Sequence, residues 1–317
     1  MHDTPPDPRS LLLRDRELLR QLSRPAPARL LMQTLLEWVY ISMLAALAVW
    51  LSHLAASLAC MLLIATRQNA LLVLMHEYSH FQFSRRHPWL NDLLGDLLTA
   101  FPFFISVHGF RRNHLAHHRA PGTDADPNLQ AALRKPQYQY PKPRKHVLLE
   151  IARHAAGWYT LNELKRYTLD AGMATSLPLR VHAARAAFAI AVLAGVWAFD
   201  LWREVLLYWL LPMATFFMAI LYLRDLGEHF GMPGPGFYAS RTVLAGPLER
   251  LLICQNGVNF HAEHHLFPSV PFLRLRRLHD LLMEDSHYRR HAVITHGYLH
   301  GLLAELSREP EGGAPAE

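Results

Sequence analysis

In 317 residues, 51% apolar side chains combine with a mean hydropathy of only +0.05, which excludes a chain wholly dissolved in lipid and fits a few membrane spans beside a large polar part. Two cysteines, Cys60 and Cys254, each inside an apolar run, exclude a disulfide scaffold and a thiolate metal site. The formal charge of +6 suits anionic headgroups or an acidic partner; lacking a basic stripe interleaved with aromatics, it argues against nucleic acid.

Met1 to Ser10 is polar and Pro-rich, and no cleavable signal peptide is expected there. From Ser10 to Ser23, Leu11, Leu12, Leu18, Leu19 and Leu22 alternate with Arg at helical spacing, the pattern of a helix on a membrane surface or of a soluble bundle helix. Pro25 and Pro27 end it. Leu30 to Met75 is the most apolar part of the chain, too long for one span and broken by Ser52-His53. Two helices in a hairpin are therefore expected, at 33–52 and 55–76, the second continuing past Arg67, Gln68 and Asn69 to carry His76 to the aqueous side.

Residues 93–110 hold Leu93, Leu97, Phe101, Phe103 and Phe104 but are interrupted by Pro102, which predicts a re-entrant or interfacial segment. Residues 119–145 read as a polar loop in water, and 146–170 as an amphipathic stretch along the interface. Two further spans are expected at 181–200 and 203–223, separated by Asp200 to Glu204. Beyond Arg224 the chain is polar with short apolar patches, ending in a disordered tail at 306–317. The expected fold is an all-α integral membrane protein. About four transmembrane helices form two hairpins, with a cytoplasmic helical cap over a histidine site. Residues 1–29 are an N-terminal interfacial segment and 30–305 a single membrane domain.

Arg9 to Arg29 precede the first span, Arg85, Arg86, Arg111, Arg112 and Arg119 follow the second, and Arg274, Arg276, Arg277, Arg289 and Arg290 follow the fourth. The turns near 53 and 201 carry almost no positive charge. By the positive-inside rule both termini and the central loop are cytoplasmic, and the expected location is a bacterial inner membrane.

Three clusters among the 21 histidines carry the chemistry: His76-x-x-x-His80, His114-x-x-His117-His118 and His261-x-x-His264-His265. A lone H-x-x-x-H is expected by chance at this frequency, but two H-x-x-H-H triplets are not. On a helix, positions i, i+3 and i+4 share a face, so each triplet is expected to aim three imidazoles at a common point, where a divalent metal accepts their lone pairs. His76-Glu77-Tyr78-Ser79-His80 also fits the H-E-x-x-H zinc-protease pattern. That reading uses two histidines and one further ligand and leaves both triplets without a purpose; the count favours two metal ions instead. Mostly imidazole ligation, with dioxygen chemistry in view, points to iron. A metal transporter would carry ligands near the bilayer midplane, where Ala45–Val49 and Ala189–Val196 have none.

Set around two membrane hairpins, these clusters resemble the three histidine boxes of the membrane fatty acid desaturase family, over about Leu30 to His279. Gly122 to Pro127 after the second box, Leu266-Phe267-Pro268 after the third, and Gly227-Glu228-His229 as an additional ligand add to the resemblance. It implies a non-haem di-iron centre held by His76, His80, His114, His117, His118, His229, His261, His264 and His265. That centre uses O₂ and two electrons to remove hydrogen from a fatty acyl or similar alkyl chain. The family also includes hydroxylases, ketolases and decarboxylases, some acting on molecules other than fatty acids, and box spacing does not separate them.

His229 follows the fourth span by a few residues, and Gly227 and Gly231 are expected to supply tight turns that aim it; the alternative is a cap at the span's C-terminus. Glu77, Glu263, Asp126 and Asn259 are candidate partners for the imidazole N–H groups. His287/His291 and His296/His300 read as surface pairs, and His53 as interfacial. The aromatics Trp38, Tyr40, Trp50, Trp202, Tyr208 and Trp209 fall near span ends as anchors. With no haem, flavin or iron–sulfur signature in the sequence, electrons are expected from a separate ferredoxin, rubredoxin or cytochrome-type carrier, docking near Arg111, Arg112, Arg274, Arg276 and Arg277.

Overall fold

The computed structural model describes residues 9, 15–170, 173 and 177–307. Among these the only sheet is a two-stranded parallel pair, Thr242–Val243 with Ile294–Thr295; the rest is helix and connecting turns. Among the described residues four helices are long and apolar enough to cross a membrane, and Pro27–Leu51, Leu54–Ser79, Leu179–Ala198 and Trp202–His229 are their cores.

Pro27 opens the first helix, where its missing N–H costs nothing. Ser52, at φ 49°, ends it in the left-handed region, and the second begins at Leu54. The two pack along each other through Ile41, Ala48, Cys60, Met61 and Ile64. Buried Glu37 on the first meets Arg67 on the second at 3.3 Å, so the cation in this apolar run is paired within the protein.

The fourth helix outruns its expected end at 223 and continues to His229. The charges that argue for a stop are neutralised locally. Arg224 donates to Glu228 at 2.9 Å and to Asn69 Oδ1 at 2.9 Å, while Asp225 accepts from Tyr167 at 2.8 Å and pairs with Arg166. Gly227 therefore lies inside the helix and makes no turn. A Cβ there would stand 2.7 Å from the Tyr298 ring, so glycine serves close packing instead.

Residues Pro88–Phe103 and Val107–Arg119 form a helix pair bent by 90°, in keeping with the expected re-entrant or interfacial segment. Asp96 closes the bend by accepting the Val107 N–H at 2.7 Å, and Ser106 caps the second arm by accepting from Gly109. Gly95 permits the crossing over the second span; a Cβ would lie 2.7 Å from Val107 and 2.9 Å from Tyr78.

The stretch expected as loop at 119–145 contains a short helix, Pro127–Leu133, because Asp126 caps its first N–H groups and Pro127 occupies its first turn. Residues 146–170 fold as Arg144–Ala155 and Thr160–Lys165, continued by a wider turn to Asp170. Exposed Trp158, Leu161 and Leu169 lie opposite buried Val147, Glu163 and Arg166, which is an amphipathic arrangement. At the N-terminus, helix Arg16–Leu22 turns its leucines to protein: Leu22 is buried with Phe260, Leu266, Leu275 and Leu278. Positions 10–14 of that expected helix lie outside the described residues. At the other end Leu306, the first position of the expected tail, is buried in helix Leu303–Leu306, and positions 308–317 again lie outside the described residues.

Candidate metal centre

Four helix ends meet below the bend. The second span brings His76 on its last turn and His80 at its C-cap, and Val107–Arg119 presents His114, His117 and His118. The fourth span ends on His229, and helix His261–Leu266 opens on His261 and carries His264 and His265. All nine histidines singled out in the sequence come together here, in two groups. One holds His76, His80, His114, His118 and His264; the other holds His117, His229, His261 and His265. Within each group the ligand atoms lie within 4.8 Å of one another.

Each triplet was expected to converge on one point, and that expectation is corrected. His114 and His118 enter the first group while His117 enters the second; His261 and His265 enter the second while His264 enters the first. At about 100° per residue, positions i and i+4 are separated by about 40°, whereas i+3 and i+4 are about 100° apart. The i, i+4 pair therefore shares a centre and the i+3 ring faces the neighbouring one. The two centres abut through His118 and His265, whose rings stack at 4.2 Å.

The donor chemistry fits metal ions. Nε2 atoms face one another at 2.9 Å for His80–His114 and His114–His118 and 3.0 Å for His118–His264. In the second group they stand at 2.8 Å for His229–His261 and 3.1 Å for His117–His229 and His261–His265. The Nδ1–H of His117 is directed to Asp126 Oδ2 at 2.8 Å and that of His229 to the Ala239 carbonyl at 2.9 Å, which leaves lone pairs on both Nε2 atoms. Buried Nε2 of His76 has no hydrogen-bond partner among the described residues. Lone pairs facing each other at such distances repel unless a cation lies between them. With metal–nitrogen bonds of about 2.1 Å, nitrogens on a tetrahedron or octahedron are roughly 3.0–3.4 Å apart, close to this spacing.

Protonation does not relieve the repulsion near neutrality. Burial, with the Arg111 charge nearby, pushes His80 down to about 3. Burial and neighbouring imidazoles push His118 to about 2. The same causes hold His114, His261, His264 and His265 well below the ordinary range. Burial favours a neutral Asp126 carboxyl, but the hydrogen bond and charge of His117 together with the Gly122 and Leu129 N–H groups outweigh it and hold that group below its usual value.

Of the four candidate partners, Asp126 alone meets a box histidine at hydrogen-bond distance. Glu77 accepts the Phe272 N–H at 3.0 Å and stands 3.8 Å from His76 Nδ1. Glu263 turns away from the boxes, accepting from His279 Nδ1 at 2.6 Å and Tyr288 at 3.0 Å, because its helix packs on 275–288. Asn259 donates to the Val243 carbonyl at 2.9 Å and braces the strand pair. Glu228, directly before His229 in the chain, stands 3.8 Å from His261 Nε2, a proximity that histidine spacing does not reveal. Arg111 and Arg274 are engaged internally, Arg111 with Asp92 and the Ser79 carbonyl and Arg274 with the Leu22 and Arg24 carbonyls.

A cavity of about 260 Å³ reaches this centre. Leu72, Met75, Phe103, Ile105 and Phe217 line its apolar part, and His76, His114, His117, His229, His261 and His264 stand in its wall.

The fatty acid desaturase family model matches residues 52–297. Dihydrorhizobitoxine desaturase of Bradyrhizobium elkanii is 29% identical over 256 residues, covering 77% of this chain and 71% of that protein. The family match runs from the turn after the first span to just past the last strand and takes in every clustered histidine, so this chain belongs to the fatty acid desaturase family and is an oxidoreductase of the desaturase type.

Proposed function

We propose that this protein introduces a double bond into an alkyl chain, using O₂ at two iron ions held by the nine clustered histidines. The observation that carries the reading is the convergence of those imidazoles, lone pairs inward, on two adjacent centres in the wall of an apolar cavity. His76, His80, His114, His118 and His264 would hold one ion, and His117, His229, His261 and His265 the other. An iron pair supplies the O₂ activation needed to break an unactivated C–H bond. One O₂ would take four electrons, two from the substrate C–H bonds and two from an external carrier, and with the two hydrogens removed and two protons from water would leave as two waters.

The chain's own groups prepare the site. Asp126 and the Ala239 carbonyl fix the tautomers of His117 and His229, keeping Nε2 available. Leu72, Met75, Phe103 and Phe217 hold an alkyl segment and keep water from the reacting carbons. The spans set the cavity beside the bilayer, and the arginine distribution supports a cytoplasmic centre with both termini on that side. Arg276 and Arg277 are exposed and not tied to backbone carbonyls as Arg274 is, which favours them as the dock for an acidic ferredoxin, rubredoxin or small cytochrome.

The substrate is a fatty acyl chain or a smaller alkyl-bearing metabolite; the relative's name places dihydrorhizobitoxine among substrates turned over by a similar chain. Expression in a host lacking desaturases, followed by mass spectrometry of lipids and small metabolites, tests the reading. A new double bond dependent on O₂ and on the clustered histidines is expected. A hydroxyl or a shortened alkene would assign another oxidation, and peptide hydrolysis by a single-zinc protein would overturn the desaturase reading.

A further inference from the structure

The cavity wall is not uniformly apolar. Beside the alkyl-lining residues it includes Arg166, Tyr167, Arg224 and Asp225. Charged groups beside a cavity built only for a hydrocarbon tail are costly, since each loses hydration and must be compensated by the protein. Here the compensation is one-sided at Asp225. Its Oδ2 accepts from Arg166 at 2.5 Å, Tyr167 at 2.8 Å and Tyr138 at 3.4 Å, while Oδ1 takes no hydrogen bond among the described residues. The Asp225 side chain stays 22% accessible although its partner Arg166 is 4% accessible. The structure therefore presents a carboxylate oxygen to the cavity, held in place by three donors on its other oxygen.

Asp225 and His229 are one helical turn apart on the fourth span. Their side chains lie on the same helix face, with Cβ atoms about 5–6 Å apart. A group held by Asp225 is then only a few bonds from any carbon placed before the histidine centres.

We propose that the substrate is an amphiphile whose hydrogen-bond-donating polar group, a hydroxyl or an amine, is received by Asp225 within a few bonds of the carbons oxidised. A long-chain acyl lipid that offers only carbonyl and ester oxygens there is disfavoured. This rests on the desaturase reading for the identity of the reaction, but binding is measured apart from turnover.

The test uses purified, iron-loaded full-length protein in detergent and calorimetric titration with three probes of equal chain length: an alkylamine, the matching alcohol and the matching methyl ether. The amine or the alcohol is expected to bind about tenfold or more tightly than the ether. Asp225→Asn, with iron content unchanged, should remove most of the preference for the amine and less of that for the alcohol, which separates the two donors. Equal affinity for all three probes overturns the proposal, as does an unchanged preference in Asp225→Asn. A lowered melting temperature in that variant with unaltered affinities also overturns it, assigning Asp225 to bracing the helices alone. A donor preference without any O₂-dependent oxidation would sustain the binding assignment while overturning the desaturase reading.

Discussion

Asp126 joins the second histidine group to the fold around it. Its Oδ2 accepts the His117 ring N–H at 2.8 Å and the Gly122 N–H at 3.1 Å, while Oδ1 caps the helix at Pro127 through Asn128 and Leu129. One carboxylate thus fixes a ligand's tautomer and starts the next helix. Asp126→Asn should lower metal affinity or turnover about 10–100-fold. Metal analysis is expected to show loss centred on one ion per chain, with the protein still in the membrane.

His229 is the one clustered histidine outside the three boxes, and its Nε2 faces those of His117 and His261 at 3.1 and 2.8 Å. His229→Ala should abolish turnover and lower iron below the two ions expected per wild-type chain. Membrane insertion should be unchanged. Full activity with normal iron would return His229 to capping the helix.

Arg241, 1% exposed, clamps the end of the helix that carries His229. It donates to the Leu226 and Phe230 carbonyls at 3.1 and 3.0 Å and pairs with Glu305 at 3.1 Å. Arg241→Met should destabilise the protein by about 3 kcal/mol, because buried carbonyls lose their donors. Thermal unfolding in detergent checks this, and metal content should fall in step.

Iron-free protein should lose stability as pH falls below about 6.5. His80 and His118 are held at about 3 and 2 in the folded state. Between about 6.5 and 3 the unfolded chain binds more protons than the folded one, so stability rises with pH across that window and is lost on acidification. Each group contributes a slope approaching about 1.4 kcal/mol per pH unit. Melting temperatures of chelator-treated protein from pH 8 to 4 measure it.

Arg276 and Arg277 are exposed on helix Leu275–Leu282. If an acidic carrier docks there, reversing both to Glu should slow carrier-driven turnover several-fold and flatten its dependence on salt. Single-turnover oxidation with chemically reduced enzyme should be unaffected. Rates indifferent to both salt and reversal would place the dock elsewhere.

Pattern and composition carried much of this protein. Runs of apolar residues of bilayer length place four spans whether or not the rest is known, because hydrocarbon demands self-satisfied helices. Local spacing likewise marks His76, His80 and both triplets, since histidines one turn apart on a helix must share a face, whereas His229 is marked by its place at the end of the fourth span and by the family resemblance. Local spacing does not say which rings share a centre. The division of His114 and His118 from His117, and of His261 and His265 from His264, depends on how four helix ends cross. The partners of Glu263 and Asn259, and the internal engagement of Arg111 and Arg274, arise from contacts between segments distant in the chain. So does the survival of the fourth helix past Arg224 and Asp225: charges that end a span when unpaired continue it when Asn69, Glu228, Arg166 and Tyr167 neutralise and hydrogen-bond them.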